Sequence, residues 1–148
     1  MLTQTEVAGI EKSLRHVSYI VKQKGREILN QFPITPPQFV ALQWLQEHGD
    51  MTIGELSNHM YLACSTTTDL IDRMEKNELV ERVKDQKDRR VVRIHLLEKG
   101  ERIIKEVIEK RQNYLQEILE DFSSQQVEAL DNSIDLLHRL MTSEKQKV

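Results

Sequence analysis

The residues best suited to chemistry lie in a basic segment at 82–93, in the second half of the chain. This segment carries six basic residues against two acidic ones, Asp85 and Asp88. Such a surplus suits the phosphates of a nucleic acid, although the whole chain has a formal net charge of −3. β-branched runs at 79–83 and 91–96 flank a polar loop, which predicts a two-stranded hairpin. One interpretation of its tip is a DNA contact, made along the DNA backbone or in a minor groove. The other interpretation is a solvated turn.

A second group of candidate contacts precedes the hairpin, on a helix predicted from about Cys64 to Lys76. Its first turn reads Ser-Thr-Thr-Thr-Asp, and hydroxyls there can reach base edges while the free amides meet a phosphate. A shorter helix, predicted from Thr52 to about Met60, comes first, so the pair is typical of a helix-turn-helix. Serine and threonine also favour helix starts for purely structural reasons.

We therefore expect DNA to be contacted by polar residues of the second helix and by charged residues of the hairpin. Within the hairpin loop, the Asp88 carboxylate can hold the Arg90 guanidinium extended through a bidentate contact. The acids on the helix oppose phosphate binding unless they pair with nearby bases. The candidate DNA-binding residues are Ser65, Thr66, Thr68, Asp69, Arg73, Lys76, Arg82, Lys84, Lys87, Asp88, Arg89, Arg90 and Arg93.

Other chemistries have weaker support in the sequence. There is no nucleophile–base motif, phosphate-binding loop or paired-carboxylate signature, so we expect neither an enzyme nor a bound cofactor. The five histidines form no metal-binding pair, and the neighbours Glu47 and His48 diverge on a helix. The single cysteine, Cys64, excludes an intrachain disulfide. A metal- or oxidant-responsive sensor remains an alternative, as does a module that binds another protein.

The surrounding elements are predominantly helical. The chain has 148 residues, of which 39% are hydrophobic and 30% charged, within the range of a folded domain. No apolar run approaches 18 residues and no signal peptide is apparent. We expect a cytoplasmic protein without a membrane partner, mainly α-helical with a small two-stranded β-wing.

Long helices flank the central segment on both sides. The first, predicted from about Val7 to Asn30, carries apolar residues at heptad spacing, and the last, which follows Ser123, has a similar pattern. A helix from about Glu98 to Phe122 precedes the last one. Such seams favour association with a second chain, although they could also pack within one chain. The tail at 144–148 is polar and expected to fray.

The hairpin resembles the wing of the MarR family, bacterial regulators named for multiple antibiotic resistance. The resemblance is carried by Asp85, by Asp88-Arg89-Arg90 with the following Val-Val-Arg-Ile-His-Leu, and by Lys99-Gly100; the Asp-Arg-Met-Glu-Lys run at 72–76 is similar too. It implies a winged helix-turn-helix that binds double-stranded DNA as a homodimer. Arg90 would enter the minor groove, oriented by Asp88, while the helix from Ser65 reads the major groove. Three residues depart from the family pattern: Ala63, Asn77 and Leu97.

The resemblance also implies a domain plan and an effector. Residues 1–148 form one domain, in which 1–34 and 98–148 are dimerisation helices and 35–97 the winged helix-turn-helix lobe. The expected function is a ligand-responsive repressor on a pseudo-palindromic operator. A small lipophilic anion, such as a phenolic acid, would bind between dimer helices and lobe, near residues that ordinary packing explains equally well: Arg15, His16, Tyr19, Trp44 and Met60.

Overall fold

The structure is a computed structural model that describes residues 1–145, so the end of the polar tail, 146–148, lies outside the described residues. The chain forms two compact units, residues 1–111 and residues from 112 onward. The predicted mainly helical fold with a two-stranded sheet is confirmed. The elements are α1 Gln4–Leu29, α2 Pro36–His48, α3 Ile53–Met60, α4 Cys64–Lys76, β1 Val80–Lys84, β2 Val92–Leu96, α5 Glu98–Leu119 and α6 Ser124–Lys145.

Side-chain caps fix several helix starts, at threonine or serine residues that glutamine or glutamate follows three positions later. Thr35 and Gln38 form a reciprocal capping box at the start of α2. Ser123 and Gln126 cap α6 in the same way. At α3, Thr52 and Glu55 have the same spacing, but only half of a capping box forms. The Glu55 amide donates to Thr52 Oγ1, but the Thr52 hydroxyl, rather than its amide, meets the Glu55 carboxylate.

Asn77 directly follows the last residue of α4, a position where asparagine often takes the left-handed conformation, but the chain places that conformation one residue later. Asn77 has φ −87°, and the left-handed residue is Glu78, with φ 61°. The Glu78 amide donates to the Glu75 carbonyl, and the Leu79 amide donates to the Met74 carbonyl. These two bonds define a Schellman motif that begins one residue later than expected, because burying Leu79 with Met74 in the core sets its position.

The first unit contains one hydrophobic core to which every element from α1 to the first part of α5 contributes. Its fully buried side chains include Leu42 of α2, Leu56 of α3, Ile71 of α4, Ile94 of β2 and Val107 of α5. An isolated two-stranded hairpin is marginal in water, so this packing stabilises the sheet. The strands pair antiparallel, from Val80 opposite Leu96 to Lys84 opposite Val92.

The second unit consists of the end of α5 and all of α6. Its apolar side chains are largely exposed in the chain, including Ile118 at 53%, Ile134 at 56% and Leu140 at 61%. In the first unit, α1 likewise exposes the first five residues of its heptad seam, from Val7 at 46% to Val21 at 51%. Only Ile28, the last residue of that seam, is buried in the core.

Gly100, in the Lys-Gly pair that follows the hairpin, occupies a position with no room for a side chain. A Cβ atom at this position would lie 2.7 Å from the Leu79 carbonyl oxygen, 2.7 Å from Leu96 Cδ1 and 3.1 Å from Leu42 Cδ2. The Leu79 carbonyl cannot move freely because it accepts a hydrogen bond of 3.0 Å from the Leu97 amide. Only glycine therefore allows α5 to start against the base of the hairpin.

We expect Gly100→Ala to lower the free energy of unfolding by about 1–3 kcal/mol, since overpacking outweighs the better helix propensity of alanine. Urea unfolding followed by circular dichroism measures the change. Gly54→Ala is the matched control, because its Cβ would meet only Thr52 Oγ1 at 3.8 Å. Equal stabilities of the two variants would contradict the packing argument.

Candidate nucleic-acid interface

The helix-turn-helix consists of α3 and α4, which are joined by a short turn at residues 61–63. Ala63 is the N-cap of α4 and provides no side-chain hydrogen bond. The amides of the first turn of α4 therefore have no side-chain cap from this residue, and no carboxylate occupies that position. A helix start of this kind attracts anions such as phosphate.

The predicted contact residues of α4 fall into two groups. The first group is Thr68, whose hydroxyl donates to the Cys64 carbonyl oxygen at 2.8 Å. The hydroxyl of the buried Thr67, which was not a predicted contact, donates in the same way to the Ala63 carbonyl oxygen. The remaining predicted residues of this helix have exposed side chains that are available to a partner: Ser65, Thr66, Asp69, Arg73 and Lys76.

The wing loop is shaped by two aspartates that accept backbone hydrogen bonds. Asp85 Oδ2 accepts from the amides of Lys87 and Asp88, and Asp88 Oδ1 accepts from the amide of Arg90. The Asp88 carboxylate also accepts two hydrogen bonds from the Arg90 guanidinium. Nε donates to Oδ1 at 3.1 Å, and Nη2 donates to Oδ2 at 3.2 Å. The predicted contact between these two residues is confirmed, and the Arg90 side chain remains 91% exposed.

The ion pairs of the wing keep its acids ionised. The hydrogen bond from the Arg90 side chain lowers the pKa of the Asp88 carboxyl, and the Arg90 amide lowers it further. The side chain of Arg93 lowers the pKa of Asp85, with help from the backbone amides of the loop. Both carboxylates therefore stay charged at neutral pH and hold the loop in shape.

Arg82 has a structural role that the sequence did not indicate. Its guanidinium donates to Glu75 Oε1 at 2.6 Å and to Asp72 Oδ1 at 2.7 Å, while its amide donates to Glu75 Oε2 at 3.1 Å. The side chain is only 29% exposed. Arg82 thus ties β1 of the wing to α4, and it removes the repulsion that Asp72 would exert on phosphates.

Arg93 is also committed within the protein. Its Nε donates to Asp85 Oδ1 at 3.0 Å, and its Nη1 lies 3.5 Å from Glu55 Oε1 on α3. The segment 82–93 has a surplus of four positive charges when only its own two acids are counted. Counting the paired acids Glu55, Asp72 and Glu75 as well reduces this surplus to one. The positive surface is therefore narrower than the sequence count suggested. It lies at the exposed residues Lys84, Lys87, Arg89 and Arg90.

This combination of a helix-turn-helix and a charged wing has close counterparts among known proteins. The sequence profile of the MarR family matches residues 34–92. A Bacillus subtilis (strain 168) protein, named as the uncharacterized HTH-type transcriptional regulator YsmB, is 70% identical over 135 residues, which cover 91% of this chain and 92% of that protein. The chain belongs to the MarR family.

Solved structures agree with this assignment. A MarR family protein from Bacillus stearothermophilus is 60% identical with a TM-score of 0.86, covering 96% of this chain and 99% of that one. FabT from Streptococcus pneumoniae, solved in complex with DNA, is 19% identical and shares the fold at a TM-score of 0.73, covering 93% and 98%. The chain is thus a DNA-binding transcriptional regulator of the MarR family, a family of regulators rather than enzymes.

The five predicted effector residues of this MarR protein lie on α1, α2 and α3. Arg15 pairs with Glu11 along the exposed side of α1, where His16 and Tyr19 are exposed as well. Trp44 stacks on His48 and His59, with ring centroids 5.3 and 4.5 Å away. Met60 lines a cavity of about 600 Å³ whose other lining residues include Thr66 and Arg73 of α4.

A different cavity, of about 330 Å³, lies between α1, α2 and the middle of α5. Arg111 lines it, with its guanidinium 5.2 Å from the centre of the Phe39 ring and its buried Nε without a hydrogen-bond partner. Gly25 gives the guanidinium room beside α1. The sequence contains a signal for this site, because Arg111 interrupts the apolar stripe of α5 formed by Val107, Ile108 and Leu115.

Three further observations concern metal sites, membrane spans and the single cysteine. Among the side chains that the structure describes, no group of three or more histidine, cysteine, aspartate or glutamate residues is arranged to hold a metal ion. None of the helices in the described part of the chain has the length and apolar character needed to cross a membrane. Cys64 is an exposed free cysteine at the start of α4.

The base of the wing is tied to the loop after α2 by a histidine. His95 Nδ1 lies 2.8 Å from Asp50 Oδ1, and the neighbouring Met51 and Ile94 exchange backbone hydrogen bonds. The hydrogen bond to Asp50 raises the pKa of His95, and the negative charges of Asp50, Glu81 and Glu101 add to the effect. The charged pair therefore favours the folded state more at mildly acidic pH than at alkaline pH, because it needs a protonated His95.

We expect the stability difference between wild type and His95→Gln to depend on pH. Because the folded-state pKa is raised, the stabilisation is complete below about pH 6.5 and is lost as pH rises through the folded-state pKa. It stays below about 1 kcal/mol, since both side chains are more than a third exposed. Urea unfolding across this range measures it, and a difference that does not change with pH would contradict the assignment.

Proposed function

We propose that this chain is a cytoplasmic homodimeric repressor that binds a pseudo-palindromic operator and releases it when a small lipophilic anion binds. The observation that carries the proposal is the wing tip, where the Asp88 carboxylate holds an almost fully exposed Arg90 guanidinium extended. An arginine held in this way loses little further freedom on binding. It suits the narrow minor groove, where the negative potential of DNA is concentrated.

The remaining cations of the wing suit the phosphates on either side of that groove. Lys84, Lys87 and Arg89 are exposed, and each phosphate contact contributes affinity without reading sequence. Arg82 and Arg93 serve this interface indirectly, because their ion pairs position the wing against α4 and α3. That FabT was solved with DNA on the same fold supports this mode of binding.

Sequence would be read by the exposed polar residues of α4 in the major groove. Arg73 can contact a guanine through two hydrogen bonds, and Asp69 can accept from a cytosine amino group. Ser65 and Thr66 lie on the first turn, next to backbone amides that suit a phosphate. Lys76, at the other end of the helix, suits the opposite side of the groove.

The dimer is proposed from the apolar faces that the chain leaves exposed in both units. Rows of exposed apolar side chains along a helix commonly mark a surface that another protein covers. The seam of α1 and the row on α6 with Ile134, Leu137 and Met141 each have heptad spacing. We place the dimer interface on 1–34 and 98–148, and a two-fold axis would set two copies of α4 about one DNA turn apart.

The effector site is proposed at the Arg111 cavity instead of the five residues named from the sequence. A guanidinium whose buried Nε lacks a carboxylate or carbonyl partner favours binding an anion. The walls include Val21, Leu29 and Phe39, and Lys22 and Arg26 also line the cavity. These contacts fit a carboxylate with an apolar body. Such a ligand changes DNA binding only through different affinities for the two dimer arrangements.

We expect Arg90→Ala to weaken DNA binding about 10- to 100-fold, because each arginine contact contributes about 1–3 kcal/mol. Fluorescence anisotropy measures the affinity, with a DNA fragment from upstream of the coding sequence at several salt concentrations. Lys105→Ala, an exposed cation on α5 outside the wing, is the matched control and should bind as wild type does.

Equal affinities of Arg90→Ala and Lys105→Ala would overturn the wing assignment and favour a module that binds another protein. The same titration, run at protein concentrations far above the dissociation constant, gives the stoichiometry. Two chains per duplex support the homodimer, and one chain per duplex contradicts it.

We expect salicylate, as a probe, to raise the melting temperature of wild type, because a ligand that binds only the folded state stabilises it. Arg111→Met should lose this shift while remaining folded, since removal of a partly buried cation without a partner at Nε costs little. Lys110→Met is the matched control: its ammonium pairs with Gln31 and lies outside the cavity. A shift that persists in Arg111→Met would place the effector elsewhere.

A further inference from the structure

The turn between α3 and α4 contains a tyrosine in an unusual conformation. Tyr61, the C-cap of α3, has φ 56° and ψ 42°, in the left-handed region. Its side chain is 95% exposed, more than that of any other aromatic residue in the described part of the chain. Neither packing nor a side-chain hydrogen bond accounts for a phenol ring at this position.

The conformation itself works against tyrosine. A Cβ atom in the left-handed region crowds the following carbonyl, so glycine or asparagine usually ends a helix in this way. Backbone hydrogen bonds fix the conformation here, because the amides of Tyr61 and Leu62 both donate to carbonyls in the last turn of α3. Residues kept under such strain concentrate at functional sites.

The position of the turn indicates what Tyr61 meets. Tyr61 precedes the first residue of α4 by three positions. Its neighbour Leu62 lines the same cavity as Thr66, Asp69 and Arg73, so the turn lies beside the part of α4 that carries predicted DNA contacts. A residue next to a helix in the major groove lies close to the phosphates that border the groove.

We propose that the Tyr61 hydroxyl donates a hydrogen bond to a DNA backbone phosphate beside the α4 contact. The inference rests on the proposed docking of α4 in the major groove. A tyrosine suits the task because its ring is rigid and reaches far from the backbone. Its O–H is a neutral donor that fixes register on the duplex without reading sequence. The DNA contacts predicted from the sequence did not include this residue.

Tyr61→Phe tests the proposal, since it removes only the hydroxyl and leaves ring and backbone unchanged. We expect DNA affinity to fall about tenfold for each protomer that engages the duplex, the effect of one hydrogen bond to a charged acceptor. A short duplex of arbitrary sequence at low salt is a sufficient probe, because phosphate contacts do not depend on sequence. Unchanged affinity would overturn the proposal.

The salt dependence separates a direct contact from an indirect one. A neutral donor displaces no counterion, so Tyr61→Phe should lower affinity without changing the slope of log affinity against log salt. Lys87→Ala should instead reduce the slope by about 0.9 for each protomer that engages the duplex. A reduced slope in Tyr61→Phe would show that the substitution acts by displacing nearby cations, and would also overturn the proposal.

Arg90→Ala, measured with the same duplex, distinguishes failure of this inference from failure of the proposed function. If Arg90→Ala weakens binding and Tyr61→Phe does not, the inference alone is wrong. If only Tyr61→Phe weakens binding, the inference holds and the wing assignment fails. Absence of any effect in both variants contradicts both.

Tyr61→Gly adds a second readout, because it removes the strain together with the ring. We expect a higher melting temperature than wild type and weaker DNA binding, two effects of opposite sign. A tyrosine with no part in binding would allow Tyr61→Gly to gain stability while keeping full affinity, and that result would overturn the proposal.

Discussion

The wing of this protein depends on the ion pairs that Arg82 makes with Asp72 and Glu75. A two-stranded hairpin has little stability of its own, and here one strand is tied to α4 by two guanidinium contacts and one amide contact. The pairs are partly buried and share one donor group, which favours a fixed geometry over the loose pairing of exposed ions. The distance between wing tip and α4 is thereby set before DNA arrives.

The same ion pairs determine which charges remain for DNA. Arg82 and Arg93 are occupied by acids from α3, α4 and the wing, so the free positive charge is concentrated at the tip. A basic segment that left all its cations free would bind any polyanion more strongly but hold its shape less well. This arrangement puts a narrow charged tip on a rigid base, which suits insertion into a groove more than broad coverage of a backbone.

Local features of the sequence predicted the fold well, and contacts between distant residues account for what it missed. Helix bounds, the cap at Thr35 and the Asp88–Arg90 contact depend on residues within four positions, so spacing reveals them. Asp85, one partner of Arg93, lies within the 82–93 segment, but the other partners of Arg82 and Arg93 are acids of α3 and α4 that lie 7 to 38 residues away. A charge count over that segment does not include them. The left-handed Glu78 was missed for a related reason: burial of Leu79 in the core, more than residue type, decides where α4 ends.

Helix α2 offers a physical route from the proposed effector site to the proposed DNA contacts. Its residues Pro36 and Val40 line both the Arg111 cavity and the larger cavity that includes Thr66, Asp69 and Arg73 of α4. Because protein interiors are close-packed, an anion seated against Arg111 that displaced the first turn of α2 would also alter the support behind α4. Pro36 and Val40 are exposed at the edge of the hydrophobic core, whereas Phe39 in the same turn is buried in it, so the displacement would have to be small. In a dimer, a small shift of this kind at both copies of α4 would change how well the distance between them fits the half-site spacing of the operator. Ligand and DNA would then compete by favouring different distances between the two helices.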